Sequence, residues 1–573
     1  MVNVKNLFGM AVVATALVGC SSSDDLATDV KGNENKTEAA YAKFTIQLPI
    51  VSGTRTAGDP SFDGGTANEY AVKDAQLVIF QKSGASEGDY KFVETVNIGN
   101  LEPWSDQTPA NEGVTRYANI TAQLKGVSLD KTGNEYFALI ILNNDGQSKV
   151  TLPTTKGTTY SAWNVANKVQ GAAAFLDSRN GFYMANAPLY STGEPTTLVP
   201  IKGVYSTKAE AQTNPATTVY VERGMAKVTV NGSDFTINDA SSTYNTDKVT
   251  INNWTLDVLN KSTFPVHVTT GLKTDFSAIW TTPRFVATGS TPQRVYWGKD
   301  PNYDKSTLTT VEECQKEFYI VDNNGKTYNG DPSSTFTWSA NTTPLYCLEN
   351  TFDLNNMKQG QTTRVVFKAT YTPHNLTGTD KTFFMIGNNT QIWTKDALVA
   401  QITSKAKEML SSTAVVVTIK TDAPLLKGGS HLLSAADLTI EDNSVDKTAT
   451  FDFATLNTKL GLNNTEKDVN NNPTVGIKTY ENGECYYIAR IKHFNELTPW
   501  ASGQTYTDNV KYLGRYGVLR NNWYDLTVSK VSAPGYPDVP VVNPDVPDDE
   551  DTKYINVEVN ILDWAKRSQS VDL

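Results

Sequence analysis

The sequence is poor in the residues that carry metal and nucleophile chemistry. Four histidines occur in 573 residues, His267, His374, His431 and His493, and none has a partner at the H-E-x-x-H spacing of a metal site. The four cysteines include no C-x-x-C, which argues against a zinc site. There is no G-x-S-x-G, no P-loop and no G-x-G-x-x-G after a strand, so the common signatures of hydrolases, nucleotide-binding proteins and dinucleotide-binding folds are missing. No apolar run beyond the first twenty residues is long enough for a membrane-spanning helix. Excess positive charge is also lacking. The net charge of −11 and pI near 5.1 disfavour nucleic acid or an anionic membrane surface as partner. The acidic pairs Glu312-Glu313 and Asp548-Asp549 are read as solvated charge. Asn143-Asn144-Asp145-Gly146 lacks the downstream glutamate of a calcium loop and is read as a hairpin turn. The expectation is a protein that is not an enzyme, with no cofactor and no metal.

What is plentiful is the stuff of β-structure: 26 Tyr, 21 Phe and 10 Trp, with Thr and Val runs between turn signals. The chain is too long for one core. Strand patterns cover Ala75–Gln81, Tyr90–Asn97, Glu135–Leu142, Val249–Val258, Arg364–Tyr371, Ala414–Thr421, Cys485–Ile491 and Tyr524–Val531. Val219–Val230 (VYVERGMAKVTV) alternates as one strand and marks a new start. Two helices are expected, one over 161–176 and one over 394–410, the latter with Leu398, Ile402, Ala406, Met409 and Leu410 on one face. Residues 297–355 read as long surface loops and hairpins, and 56–72 as a loose leader. The fold class is all-β, with small helical insertions in two β-sandwich domains, 56–220 and 221–532. Cys314, Cys347 and Cys485 remain after processing; Cys314 and Cys347 are nearer in sequence, and nothing pairs them.

The two ends carry the strongest patterns. Lys5 and the short apolar stretch Leu7–Val18 form a signal peptide over residues 1–19. Leu17-Val18-Gly19-Cys20 reads as a lipobox with Cys20 lipidated, and the acidic run after it resembles those that direct some lipoproteins to the cell surface. Within a propeptide over 20–55, Ala42, Phe44, Ile46, Leu48 and Ile50 alternate with polar residues, the period of a strand with one buried face. A small, polar stretch follows, Val51 to Pro60, easily cut between Arg55 and Thr56. At the other end Ile555, Val557, Val559 and Ile561 repeat the same alternation, with Trp564 beyond them as a lock or a packed aromatic. Between the body and this strand, residues 533–553 hold five prolines and six acidic residues and read as an extended, solvated linker. Both segments are open to a plain reading, as first and last strands of a β-domain. The alternative is strand donation: removal of the first strand after cleavage at Arg55 opens a groove that residues 554–573 of the next subunit fill. Burial of the four alternating side chains contributes roughly 6–12 kcal/mol gross, and main-chain ladders set the register. Head-to-tail contacts of this kind give open filaments.

Taken together, the lipobox at Cys20, Thr54-Arg55-Thr56-Ala57-Gly58-Asp59, Leu142-Asn143-Asn144-Asp145, Val221-Glu222-Arg223 with Ala226-Lys227, Tyr486-Tyr487, Arg520-Asn521-Asn522-Trp523-Tyr524 and the tail ending in Val571-Asp572-Leu573 resemble the Bacteroidales fimbrillins, of the type that builds the shaft of the Porphyromonas short (minor) fimbria. The match is weakest over 230–480. The resemblance implies two transthyretin-like β-sandwich domains plus a C-terminal donor strand on a Pro/Asp-rich tether. It implies a precursor held on the outer membrane by its lipid, cut by an Arg-specific protease such as an Arg-gingipain, then a cell-surface fimbrium serving adhesion and biofilm formation. Partners implied are the chain itself, anchor and tip subunits, and host or bacterial surface ligands. The alternatives are a tip or accessory fimbrial adhesin, or a glycan-binding surface lipoprotein.

Overall fold

The computed structural model describes residues 40–49, 66–101, 105–106, 114–129, 135–166, 168–170, 175, 181–281, 285–286, 292–387, 389–420, 432–433, 437–443, 452–461, 476–493, 512–548 and 555–562. The architecture is mainly β, with short helical insertions. Seven of the nine strands of the first sheet form its body: β1 (Ala40–Pro49), β2 (Ala75–Gln81), β3 (Lys91–Asn97), β4 (Val114–Leu124), β5 (Tyr136–Leu142), β6 (Met184–Asn186) and β7 (Thr217–Arg223), with the two-residue strands Ser105–Asp106 and Val199–Pro200 added on β4 and β5. The seven lie side by side in the order β3-β2-β5-β6-β7-β1-β4. β5 reads YFALIIL and is buried along its whole length, as a strand covered on both faces must be. Ala138, Ile140 and Leu142 enter one core with Phe44, Ile46 and Leu48 of β1. Phe137, Leu139 and Ile141 enter a second core with Trp163 of a short helix, α1 (Tyr160–Ala166), and with Met225 and Leu348 from the second half of the chain. The two halves therefore share a continuous apolar core.

The second half is a sandwich. One sheet holds β8 (Met225–Asn231), β9 (Leu345–Leu348), β10 (Trp523–Val531) and β11 (Ile555–Leu562) in the order β9-β8-β10-β11. The facing sheet pairs Lys248–Asp257 with Arg364–Thr372, and the latter with Glu484–Arg490. Val228, Leu526 and Val528 from one sheet meet Trp254, Phe367 and Tyr487 from the other, the face-to-face packing expected of a sandwich. An appended unit is built on α2 (Lys395–Leu410), whose Leu398, Ile402 and Ala406 pack on Val415, Val417 and Leu438. Thr394 caps it by accepting from the Ala397 N–H at 3.2 Å. Met409 packs at the margin and Leu410 is exposed.

Several expectations need correcting. The run Val219–Val230 is not one strand: it divides at Gly224 into β7 and β8, which belong to different sheets. A Cβ on Gly224 would come to 3.0 Å from the rings of Phe175 and Tyr183, so any side chain at the crossing needs those rings to shift. The helix expected over 161–176 ends at Ala166. The Asn143–Gly146 turn is real, with Asn143 and Asp145 at positive φ, but it closes no hairpin; β5 pairs with β2 and β6 instead. Asn143 turns inward to bond the Ala71 and Phe182 carbonyls at 2.8 and 2.7 Å. Residues 297–355 are surface loops only in part: 322–346 are mostly half-buried or exposed, with antiparallel bridges between Val321 and Tyr328 and between Thr327 and Thr335, whereas Trp297, Tyr303, Cys314, Phe318 and Cys347 are buried. Their polar neighbours hold turns, as in the Thr310/Glu313 capping box. Nor is the leader loose throughout: Glu69 and Val72 are buried.

The segment after β10 is extended but not solvated. Tyr536 exchanges main-chain bonds with Tyr486 at 2.7 and 2.8 Å, Val539 N–H donates to the Asn323 carbonyl at 3.0 Å, and Gln359 N–H donates to the Val546 carbonyl at 3.0 Å. Val539 packs with Val366 and Ile488, and Val542 with Val258 and Phe318. Proline holds the strap extended at little entropic cost, and the valines between bury it. Asp548, expected in solvent, is buried and accepts from Thr362 Oγ1 at 3.0 Å, while its carbonyl accepts from Arg490 Nε at 2.8 Å.

Candidate functional site

β1 is an interior strand. It runs parallel to β7, with Phe44 beside Thr217 and Ile46 beside Val219, and antiparallel to β4, with Phe44 beside Ile120 and Ile46 beside Ala118. Its alternation places Phe44 and Ile46 at 0 % exposure and Leu48 at 2 %. The outward residues are tied more lightly. Thr45 Oγ1 donates to Asn119 Oδ1 at 2.6 Å, and Lys43 Nζ donates to the Gln212 carbonyl at 3.0 Å. The three buried side chains account for roughly 5–9 kcal/mol of gross burial. Withdrawing β1 leaves two facing strand edges, β7 and β4, with an apolar floor. Ile50, Cys20, Arg55 and Thr56 lie outside the described residues.

β11 has one ladder only. Ile555 stands opposite Val531, Val557 opposite Val528, Val559 opposite Leu526 and Ile561 opposite Tyr524. In the single chain the tail thus lies at the edge of its own second sandwich. Trp564 falls outside the described residues. Because the strap is bound as far as Asp548, six residues separate it from Ile555, a reach of roughly 20 Å when extended. That is far shorter than a wholly free linker would allow.

Between the groove and the tail stands a buried charged junction whose interactions the sequence did not disclose. Glu222, Arg223 and Lys227 are all buried; within β7 only Arg223 keeps phase with Val219 and Val221, so alternation put a charge at a core position there. Lys227 Nζ meets Glu69 Oε1 at 2.8 Å and lies 3.7 Å over the Trp523 ring. Tyr346 Oη donates to Glu69 at 2.7 Å. Burial pushes the Glu69 carboxyl up, but the bonds from Lys227 and Tyr346 outweigh it and leave the group below the usual range. Arg223 Nε donates to the Glu69 carbonyl at 2.8 Å, and its main-chain N–H donates to Asn521 Oδ1 at 3.2 Å. Beside this, Glu222 contacts His267 Nδ1 at 2.8 Å and Arg294 at 3.1 Å. Arg520 Nε donates to Glu349 at 3.2 Å. Tyr524 Oη accepts from the Leu519 N–H at 2.9 Å. The Arg520–Tyr524 segment therefore joins the two halves rather than facing solvent. Among the described residues no group of three or more His, Cys, Asp or Glu side chains is placed to hold a metal ion, and Cys314, Cys347 and Cys485 are buried free thiols.

Residues 478–570 match the family described as major fimbrial subunit protein type IV, fimbrillin, C-terminal. The matched stretch takes in β10, the strap and β11. No curated protein sequence matches the chain. Among solved structures, the fimbrilin FimA of Porphyromonas gingivalis W83 is similar at 12 % identity and a TM-score of 0.37, over 92 % of this chain and 99 % of that one. The tip fimbrial protein Mfa3 of Porphyromonas gingivalis is similar at 11 % identity and a TM-score of 0.27, over 91 % of this chain and all of that one. Structural likeness at this level assigns neither a position in a fibre nor a mechanism.

Proposed function

We propose that this chain is the structural shaft subunit of a cell-surface fimbria, polymerised head to tail by donor-strand exchange. In this reading the precursor is exported as a lipoprotein on Cys20 and anchored to the outer membrane. An Arg-specific protease cuts between Arg55 and Thr56, β1 leaves, and residues 554–573 of the next subunit enter between β7 and β4, with Trp564 as the lock. The observation that carries the reading is that β1 is an interior strand with a wholly buried face, joined to the body through the segment bearing Arg55. The similarity of residues 478–570, which include β11, to the fimbrillin C-terminal family supports it from the other side. The units of assembly are the sandwiches over 56–220 and 221–532, the strap within 533–553 and the donor tail. Their further partners are anchor and tip subunits and the surface ligands of host or bacterial cells.

The covalent tether makes β1 the stronger competitor for its groove until Arg55 is cut, because an attached strand loses less entropy on docking than a free one. Proteolysis makes the loss irreversible and so serves as the trigger. The test is cleavage of purified precursor by an Arg-specific protease, with wild type, Arg55→Ala and a chain ending at Asp551 compared on unboiled gels and by electron microscopy. Fibres from wild type alone are the expected result. Monomers throughout, with loss of β1 confirmed, would sink self-polymerisation and favour a tip or accessory adhesin.

A further inference from the structure

Three loops meet at one end of the second sandwich and line an open cleft of about 430 Å³. Thr243, Tyr244 and Asp247 come from the loop before strand Lys248–Asp257, His374 and Asn375 follow strand Arg364–Thr372, and Asn389 to Ile392 precede α2. The centre of the wall is built rigidly. Asp247 is fully buried and receives bonds from Tyr371 Oη, from the His374 N–H at 2.7 Å and from His374 Nδ1 at 2.6 Å. That last bond holds the imidazole, half exposed, with Nε2 left as the ring atom a ligand can reach.

The chemistry of the lining is specific. Among the described residues, Asp247 and His374 are its only ionisable side chains apart from Tyr244, and they are bonded to each other. The exposed rim is made of amides and hydroxyls: Asn375, Asn389, Gln391, Thr243 and Thr390. These groups donate and accept in equal measure, as the hydroxyls of a sugar do. Tyr244 and Ile392 supply an apolar floor for the C–H face of a ring. Among the described residues the lining holds no lysine or arginine to cradle a phosphate or carboxylate. Loops at a sandwich end, held by a rigid scaffold, are where binding sites are commonly placed.

We infer that this cleft is a binding site for a neutral carbohydrate, with room for about one or two pyranose rings at a volume ordinary for small-ligand sites. The site needs neither cleavage nor polymerisation, so the uncleaved monomer carries it. It can thus fail while strand exchange holds, and the reverse.

The experiment is saturation-transfer NMR on the full uncleaved chain with glucose, galactose, mannose, fucose, N-acetylglucosamine and sialic acid, each at millimolar concentration. Asn389→Ala and Gln391→Ala lie on the exposed rim and leave the Asp247–His374 pair intact; thermal melts verify their folding. Transfer to at least one neutral sugar, weakened about tenfold by either amide variant as expected for lost hydrogen bonds, supports the site. A His374→Asn variant, which keeps a donor toward Asp247 and withdraws Nε2, should weaken binding likewise. No transfer to any neutral sugar, transfer to sialic acid alone, or binding unmoved by all three variants would overturn it.

Discussion

Glu69 and Lys227 meet at 2.8 Å with both side chains almost fully buried, one from the short helix Ala67–Tyr70 and one from the first strand of the second sandwich. Taking away one member of such a pair leaves a charge in the interior without its partner. Lys227→Met should destabilise the chain by about 3–5 kcal/mol, read as a fall in the denaturant midpoint. Combining it with Glu69→Gln should recover much of the loss. A single variant as stable as wild type would show that the pair contributes nothing to the junction.

Phe44 is buried against both its neighbours in the first sheet. Phe44→Ala should cost about 3–5 kcal/mol in the precursor. In the chain that has lost β1 the same codon change has no effect, because the residue is gone. Thermal unfolding before and after Arg-specific cleavage separates the two, and equal shifts in both would place Phe44 outside the removed segment.

Glu87 is pushed up to about 7 by burial, despite bonds to its carboxylate from the Thr197 and Leu198 N–H groups. The unfolded group ionises near 4.5. Between those values the unfolded chain binds fewer protons than the folded one, so stability from this group is fully present below about 4.5 and is lost as pH rises through 7. Glu69 and Glu222, whose folded values are lowered, act in the opposite sense, their stability being lost as pH falls below about 4.5. Melting curves from pH 5 to 8 should therefore show a declining slope that Glu87→Gln flattens. An identical slope in the variant would refute the assignment.

Burial pushes the thiols of Cys314, Cys347 and Cys485 up to about 12. The thiolate is the reactive form. A mature chain without Cys20 should give no reaction with a thiol reagent at pH 8 when native and three equivalents when unfolded. Fewer than three on unfolding without reductant would reveal a disulfide.

The two terminal strands were legible because period-2 alternation flanked by polar segments has few other meanings. α2 was legible for the same reason at a different period. The split at Gly224 was hidden, since both halves keep one alternation and only the sheets they join differ. Composition misled over the strap and over the buried parts of 297–355. Proline and aspartate suggest solvation, yet Val539 and Val542 are spaced to bury, and the aromatics of the long loops fold back onto the body. The charged junction could not be assembled from sequence because Glu69, Glu222, Glu349 and Arg520 are brought together only by topology.

Gly224 sets how a pull would travel. β1 lies parallel to β7, the backbone passes through this one residue into β8, and β8 lies parallel to β10. In a fibre assembled as proposed, tension entering at the groove runs along β7 into β8 and loads the ladders flanking those two strands in shear. Shear loads many hydrogen bonds at once, whereas peeling breaks them singly. The subunit would then resist extension better than a side-on tug.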